Sequence, residues 1–226
     1  MLRYMHPGCA GECRLMITKE QIIAWIQALQ QIYDENKEYL TELDAAIGDA
    51  DHGINLDRGF KAVVVELEDT DFPDISAILK TVAMTLIKTV GGASGPLYGT
   101  FFLRASTASV GKSELSPTDI VGIFTAGLEG VVQRGKAVLE DKTMVDAITP
   151  AVAAMQKAQE NGSDLVSLMH QGTVAAEEGM RRTIPLQAKK GRASYLGKRS
   201  IGHQDPGATS AYMLFKAAAE VWGQRV

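Results

Sequence analysis

The sequence predicts an all-α bundle of about eight antiparallel helices. Three observations predict it: apolar residues recur with a helical period from Thr18 onward, no segment alternates in the manner of a strand, and the joins near 69–73, 110–115 and 161–163 are short enough to set neighbouring helices antiparallel. With 226 residues and 46% apolar side chains there is ample material for a buried core, so one compact domain over 16–226 is the expectation.

The elements follow in order. Thr18 and Gln21 have capping-box spacing, after which Ile22, Ile26, Leu29 and Tyr33 share one face. A second periodic segment spans 53–68. Asp74 opens a third, whose stripe is Ile75, Ile78, Leu79, Val82, Leu86 and Val90. Another runs over 97–109. Ser116, Pro117 and Asp119 start the next, which continues to about Gln133. Three more periodic segments cover 143–160, 164–182 and 207–223.

The formal charge is −4, from 23 basic and 27 acidic residues with no long run of either sign, which argues against nucleic acid as a partner. No apolar stretch approaches the roughly 18 residues of a bilayer span, and no secretory core of apolar residues opens the chain. A cytoplasmic protein is expected. Cys9, Cys13 and His6 lie together near the start, but a structural zinc site wants a fourth ligand and none is near, so residues 1–15 read as an extension without fixed structure.

Three connections carry more chemistry than a turn requires. In "LDAAIGDADHG" at 43–53, Asp44, Asp49 and Asp51 crowd three carboxylates together, with Gly48 and Gly53 easing the backbone. This is either a solvated, helix-capping turn or a Mg²⁺ loop; the EF-hand spacing of a calcium site is absent. "GGASG" at 91–95 is either a helix C-cap with a tight crossing or a cradle whose amides and Ser94 hydroxyl approach phosphate. The stretch 183–207 lacks periodicity and carries Lys189, Lys190, Arg192, Lys198 and Arg199. It reads as a solvated surface or as a mobile lid that neutralises phosphate. His52 and His203 receive no acid–base role. Cation ligands, phosphate cradle and basic clamp are together what phosphoryl transfer needs.

"AIGDADHGINLDRGF", "GGASGPLYGTFF", "RGKAVLEDKTMVD" and "QAKKGRASYLGKRSIGHQDPGATS", in this order over about 16–222, resemble the nucleotide-binding L subunit of bacterial dihydroxyacetone kinases of the phosphotransferase-system type. The resemblance implies an eight-helix antiparallel barrel with ADP or ATP at its rim under a loop lid at 183–207. It implies two Mg²⁺ ions on Asp44, Asp49 and Asp51. It places His52, Gly53, Asn55, Ala93, Ser94, Gly135, Met144, Arg192, Asp205, Pro206 and Gly207 around the nucleotide. It further implies two partners: a K subunit holding dihydroxyacetone and an M subunit carrying phosphohistidine, which regenerates ATP from retained ADP with phosphoenolpyruvate as ultimate donor. No catalytic residue is assigned to this chain, since acceptor and base would lie on the partner. A homodimer stays open. The competing expectations are a related kinase domain with freely exchanging ATP and a nucleotide-dependent regulatory module.

Overall fold

The computed structural model describes residues 16–68 and 70–223, so the extension expected at 1–15, with its cysteines, lies outside the described residues. Nine α-helices account for most of them: α1 (Lys19–Glu35), α2 (Lys37–Ile47), α3 (His52–Leu67), α4 (Ile75–Thr89), α5 (Ser94–Ala108), α6 (Pro117–Gly135), α7 (Val145–Glu160), α8 (Leu165–Arg182) and α9 (Pro206–Trp222). A 3₁₀ segment spans Arg192–Ser200. Two short strands, β1 (Ile17–Thr18) and β2 (Glu114–Leu115), pair antiparallel.

The helices start where their caps dictate. Thr18 and Gln21 exchange hydrogen bonds in a full capping box, as do Ser116 and Asp119 ahead of Pro117. The Asp74 carboxylate accepts from Ala77 N at 2.8 Å, Asp164 from Ser167 N at 2.8 Å and Asp205 from Ala208 N at 2.7 Å. Each cap satisfies a donor that the helix itself leaves open.

The packing closes a ring. α1 lies against α3 and α9, and between them α3 to α9 follow in sequence, each helix against the next. The eight helices of the ring correspond to the eight periodic segments of the sequence. The ninth, α2, packs chiefly on α3 and outside that ring, after a break at Asn36, whose N–H bonds back to Ile32 O at 3.1 Å. Its stripe is short, with only Leu40, Asp44 and Ile47 buried, which is why periodicity alone does not separate it.

Aromatic side chains fill the barrel. Trp25 stacks within 5.0 Å of Trp222, 5.6 Å of Phe124 and 5.8 Å of Phe102, and Phe124 lies 4.9 Å from Phe215. All five are fully buried. Both indole N–H groups find backbone acceptors, Trp25 at Leu214 O and Trp222 at Gln21 O. Around this centre the walls meet closely: a Cβ on Gly99 would stand 2.3 Å from Ile87 Cγ1, so α4 and α5 need glycine at that crossing.

Because helices alternate in direction around the ring, the connections sort to two ends. The C-termini of α2, α4, α6 and α8 and the N-termini of α3, α5, α7 and α9 meet at one end, joined by residues 48–51, 90–93, 136–144 and 183–205. The β1–β2 pair and the short joins at 70–74, 109–116 and 161–164 occupy the other. All the connections with unusual chemistry therefore share one mouth.

Candidate functional site

That mouth is a cleft of about 390 Å³ lined from all four connections. One wall is acidic. Asp44 sits on the last turn of α2, while Asp49 and Asp51 follow in the turn between α2 and α3, so the irregular connection is shorter than the 43–53 stretch suggests. One carboxylate oxygen from each lies within 4.8 Å of the other two. Asp44 is buried and its Oδ2 accepts from Asp51 N at 2.9 Å and His52 N at 3.2 Å, which fixes it toward the turn. Ala50, between the other two, adopts φ 61°, an uncommon left-handed conformation for a residue with a Cβ.

Three carboxylates so close need an offsetting charge. Among the described residues, only Arg192 pairs with one of them, at 3.1 Å from Asp49 Oδ2. Hard oxygen donors at this spacing suit Mg²⁺, which takes one or two carboxylates together with waters and phosphate oxygens. The donor set therefore fits the ion the sequence motif suggests.

The facing wall is made of helix starts. His52, Ser94, Val145 and Pro206, the first residues of α3, α5, α7 and α9, all line or border the cleft, so four partial positive charges converge there; side chains take His52 N, Val145 N and Ala208 N, whereas no cap side chain bonds the start of α5. Gly92, at φ 65°, turns the chain so that Ala93 and Ser94 begin α5 earlier than periodicity suggests. "GGASG" is thus half turn and half helix.

His52 is nearly inaccessible and bridges two hydroxyls, with Nδ1 at 3.0 Å from Ser94 Oγ and Nε2 at 2.9 Å from Ser210 Oγ. Burial holds its imidazole below the usual range. Ser210 Oγ also meets Tyr98 Oη at 2.7 Å, and Tyr33 Oη donates to Ser210 O at 2.9 Å. This chain of polar groups runs from the aromatic core to the Ser94 hydroxyl and fixes its direction.

Of the other residues expected around a nucleotide, Ala93, Gly135, Met144, Arg192, Asp205, Pro206 and Gly207 line the cleft with His52 and Ser94. Gly53 and Asn55 do not. Gly53 packs α3 on α2, where a Cβ would stand 2.1 Å from Lys37 O. The Asn55 amide accepts from Arg58 Nη2 at 2.7 Å and lies beneath Gly91, supporting the turn rather than facing the cavity.

Asp205 caps α9 from a buried position, and burial pushes its carboxyl up to about 7. The basic stretch is not structureless. Arg192–Ser200 forms 3₁₀ turns kinked at Gly197, and Ser200 Oγ accepts from Ala188 N at 2.9 Å, closing its base.

Within the 138–146 part of the rim, sequence reading names Met144 but misses Asp146 and Lys142. Asp146 is buried and accepts from Glu140 N at 2.5 Å and Thr143 N at 2.7 Å, while Lys142 is buried beside it. The "DKTMVD" string lies within a motif quoted above, but nothing in its spacing tells which side chain turns inward.

The fold and site define a closed helical barrel with one mouth that pairs a carboxylate cluster with converging helix N-termini. The DAK2 domain signature matches residues 46–220, and the chain belongs to that family. It is 44% identical over 205 residues to the PEP-dependent dihydroxyacetone kinase ADP-binding subunit DhaL of Escherichia coli (strain K12), covering 91% of this chain and 98% of that one. It is 42% identical over 206 residues to the PTS-dependent dihydroxyacetone kinase ADP-binding subunit DhaL of Lactococcus lactis subsp. lactis (strain IL1403), covering 91% and 99%. The crystal structure of the dihydroxyacetone kinase from C. freundii in complex with AMP-PNP and Mg²⁺ shares the fold, with a TM-score of 0.69 at 22% identity over 97% of this chain and 37% of that one.

Proposed function

We propose that this chain is the nucleotide-binding subunit of a phosphoenolpyruvate-dependent dihydroxyacetone kinase, a phosphotransferase active only with its partner subunits. One observation carries the reading: the carboxylate cluster faces four converging helix N-termini at the mouth of a barrel, in a chain that aligns over nearly its whole length with ADP-binding subunits of such kinases. On this reading ADP stays in the cleft, an M subunit carrying phosphohistidine rephosphorylates it, and a K subunit presents dihydroxyacetone as acceptor. The product is dihydroxyacetone phosphate, made in the cytoplasm.

Asp44, Asp49 and Asp51 would hold two Mg²⁺ ions, which when bound neutralise and align the phosphate oxygens. The chain's own residues do the rest. Backbone N–H groups at the uncapped start of α5 bind the anionic end of the nucleotide, with the positive ends of α3 and α9 beside them, and the Ser94 hydroxyl, held by His52, orients it. Arg192, already within reach of Asp49, brings the 183–205 lid over the mouth and keeps water out. Phosphoryl transfer asks chiefly for positioning and charge stabilisation, so a subunit without a general base is chemically sufficient when the partner supplies the acceptor.

Heat denaturation of the purified protein should release ADP into the supernatant. Absence of released ADP, together with failure to bind added Mg²⁺-ADP, would overturn the proposal. Asp49→Asn should speed loss of ADP on dialysis by about tenfold or more, with helicity unchanged by circular dichroism, because a metal ligand at the rim is lost without touching the core. Addition of K and M subunits should then give dihydroxyacetone phosphate only when phosphoenolpyruvate and the transferase components are present.

A further inference from the structure

We propose that Lys142 is a positioning residue for this site: its ammonium group ties both roots of the 183–205 segment to the rim and so sets where Lys190 and Arg192 stand over the cleft. The inference rests on the nucleotide reading of that cleft. Lys142 is among the largest fully buried side chains, at 1% exposure. Its Nζ donates to Thr183 O at 2.8 Å, to Leu186 O at 3.1 Å and to His203 O, with Ile184 O at 3.5 Å.

Those carbonyls come from both sides of one excursion. Thr183 to Leu186 is where the chain leaves α8, and His203 is where it returns to α9. An ammonium has three donors and a compact charge, so it can gather carbonyls from separate stretches of chain, which an apolar side chain of similar length cannot do. The neighbouring residue adds two more ties: Asp141 O accepts from Lys189 N at 3.0 Å, and its carboxylate lies 3.8 Å from Lys189 Nζ. Lys142 itself adopts φ 61°, a left-handed backbone kept in a residue with a side chain.

Among the described residues Lys142 makes no salt bridge within 4 Å; its hydrogen bonds go to backbone carbonyls, and the Asp205 carboxylate adds electrostatic attraction from farther away. Desolvating a cation is costly, and simple filling of this space would be done more stably by an apolar side chain. What the cation adds is one common centre for two chain segments that also meet directly, through Gly202 N to Ile184 O at 2.8 Å, Ala188 N to Ser200 Oγ at 2.9 Å and Asp205 N to Thr183 Oγ1 at 3.0 Å. The base of the segment is thus pinned, and its movement is confined to the part beyond Lys189, where Arg192 is two-thirds exposed.

Lys142→Met in the full chain tests this by amide hydrogen exchange without nucleotide and by ADP release. Exchange should accelerate at 186–204 while α1 and the second half of α9 stay at the wild-type rate, and ADP should leave at least about tenfold faster, the equivalent of one charge-assisted hydrogen bond. Unchanged exchange over 186–204 would overturn the proposal, as would unchanged ADP release. If the variant does not fold, the wild-type protein still decides the matter: lysine ¹⁵Nζ spectra should show one slowly exchanging ammonium, and its absence would overturn the proposal. Wild-type protein that binds no ADP would instead sink the nucleotide reading, which the exchange and ammonium measurements do not depend on.

Discussion

At the scale of single residues, the mouth is built from groups whose partners leave them little freedom. Asp205 shows the consequence for titration. Burial raises its folded pKa to about 7, against about 3.9 for an unfolded aspartate, so the folded state binds the proton more tightly between those values. Stability contributed by this group is therefore fully present below about pH 4 and is lost as pH climbs toward 7, with a slope of up to ~1.4 kcal/mol per pH unit. Because buried His52, with its lowered pKa, slopes the opposite way, the Asp205 part is read as a difference: from pH 5 to 7 the metal- and nucleotide-free protein should lose stability relative to Asp205→Asn in chemical denaturation. The three aspartates of the carboxylate cluster were legible in the sequence because they lie within eight residues of one another. Lys142 was not, since its burial depends on carbonyls some forty to sixty residues away.

At the scale of elements, capping chemistry made most helices readable. Thr18 with Gln21, Asp74, and Ser116 with Asp119 mark their starts in the sequence and cap them in the structure. What escaped were elements whose signal is short. The α2 helix has one buried side, two turns long, and the β1–β2 pair has two residues in each strand. The 3₁₀ turns of 192–200 bury only Ser200, so no apolar period announces them. Ser116→Ala should cost about 1 kcal/mol of stability through loss of the α6 cap. It should leave ADP retention unchanged, because α6 starts at the end away from the cleft; parallel melting and dialysis measurements check both halves.

For the whole molecule, the closed ring separates stability from chemistry. The aromatic centre holds the walls together, while the mouth is assembled from the turns that the walls deliver. Phe124, which touches Trp25, Phe101, Phe215 and Trp222, is a place to test the separation. Phe124→Ala should lower unfolding free energy by about 3–5 kcal/mol, the usual cost of an aromatic-sized void. At temperatures where the variant remains folded, its ADP off-rate should match the wild type in a stopped-flow displacement assay. The ring order was expected from sequence only in outline, since short joins say that neighbours are antiparallel but not that the first and last helices meet.

That meeting of α1 with α9 brings the two described extremities of the polypeptide to the same side, where the Trp222 indole reaches the Gln21 carbonyl at 3.2 Å. A topological rewiring is therefore feasible: a short linker from 223 to 17, with the backbone opened in the 161–164 turn, would keep every wall and every rim connection intact. Tethering the molecule to a bead or a surface through that junction would likewise leave its working face pointing into solution.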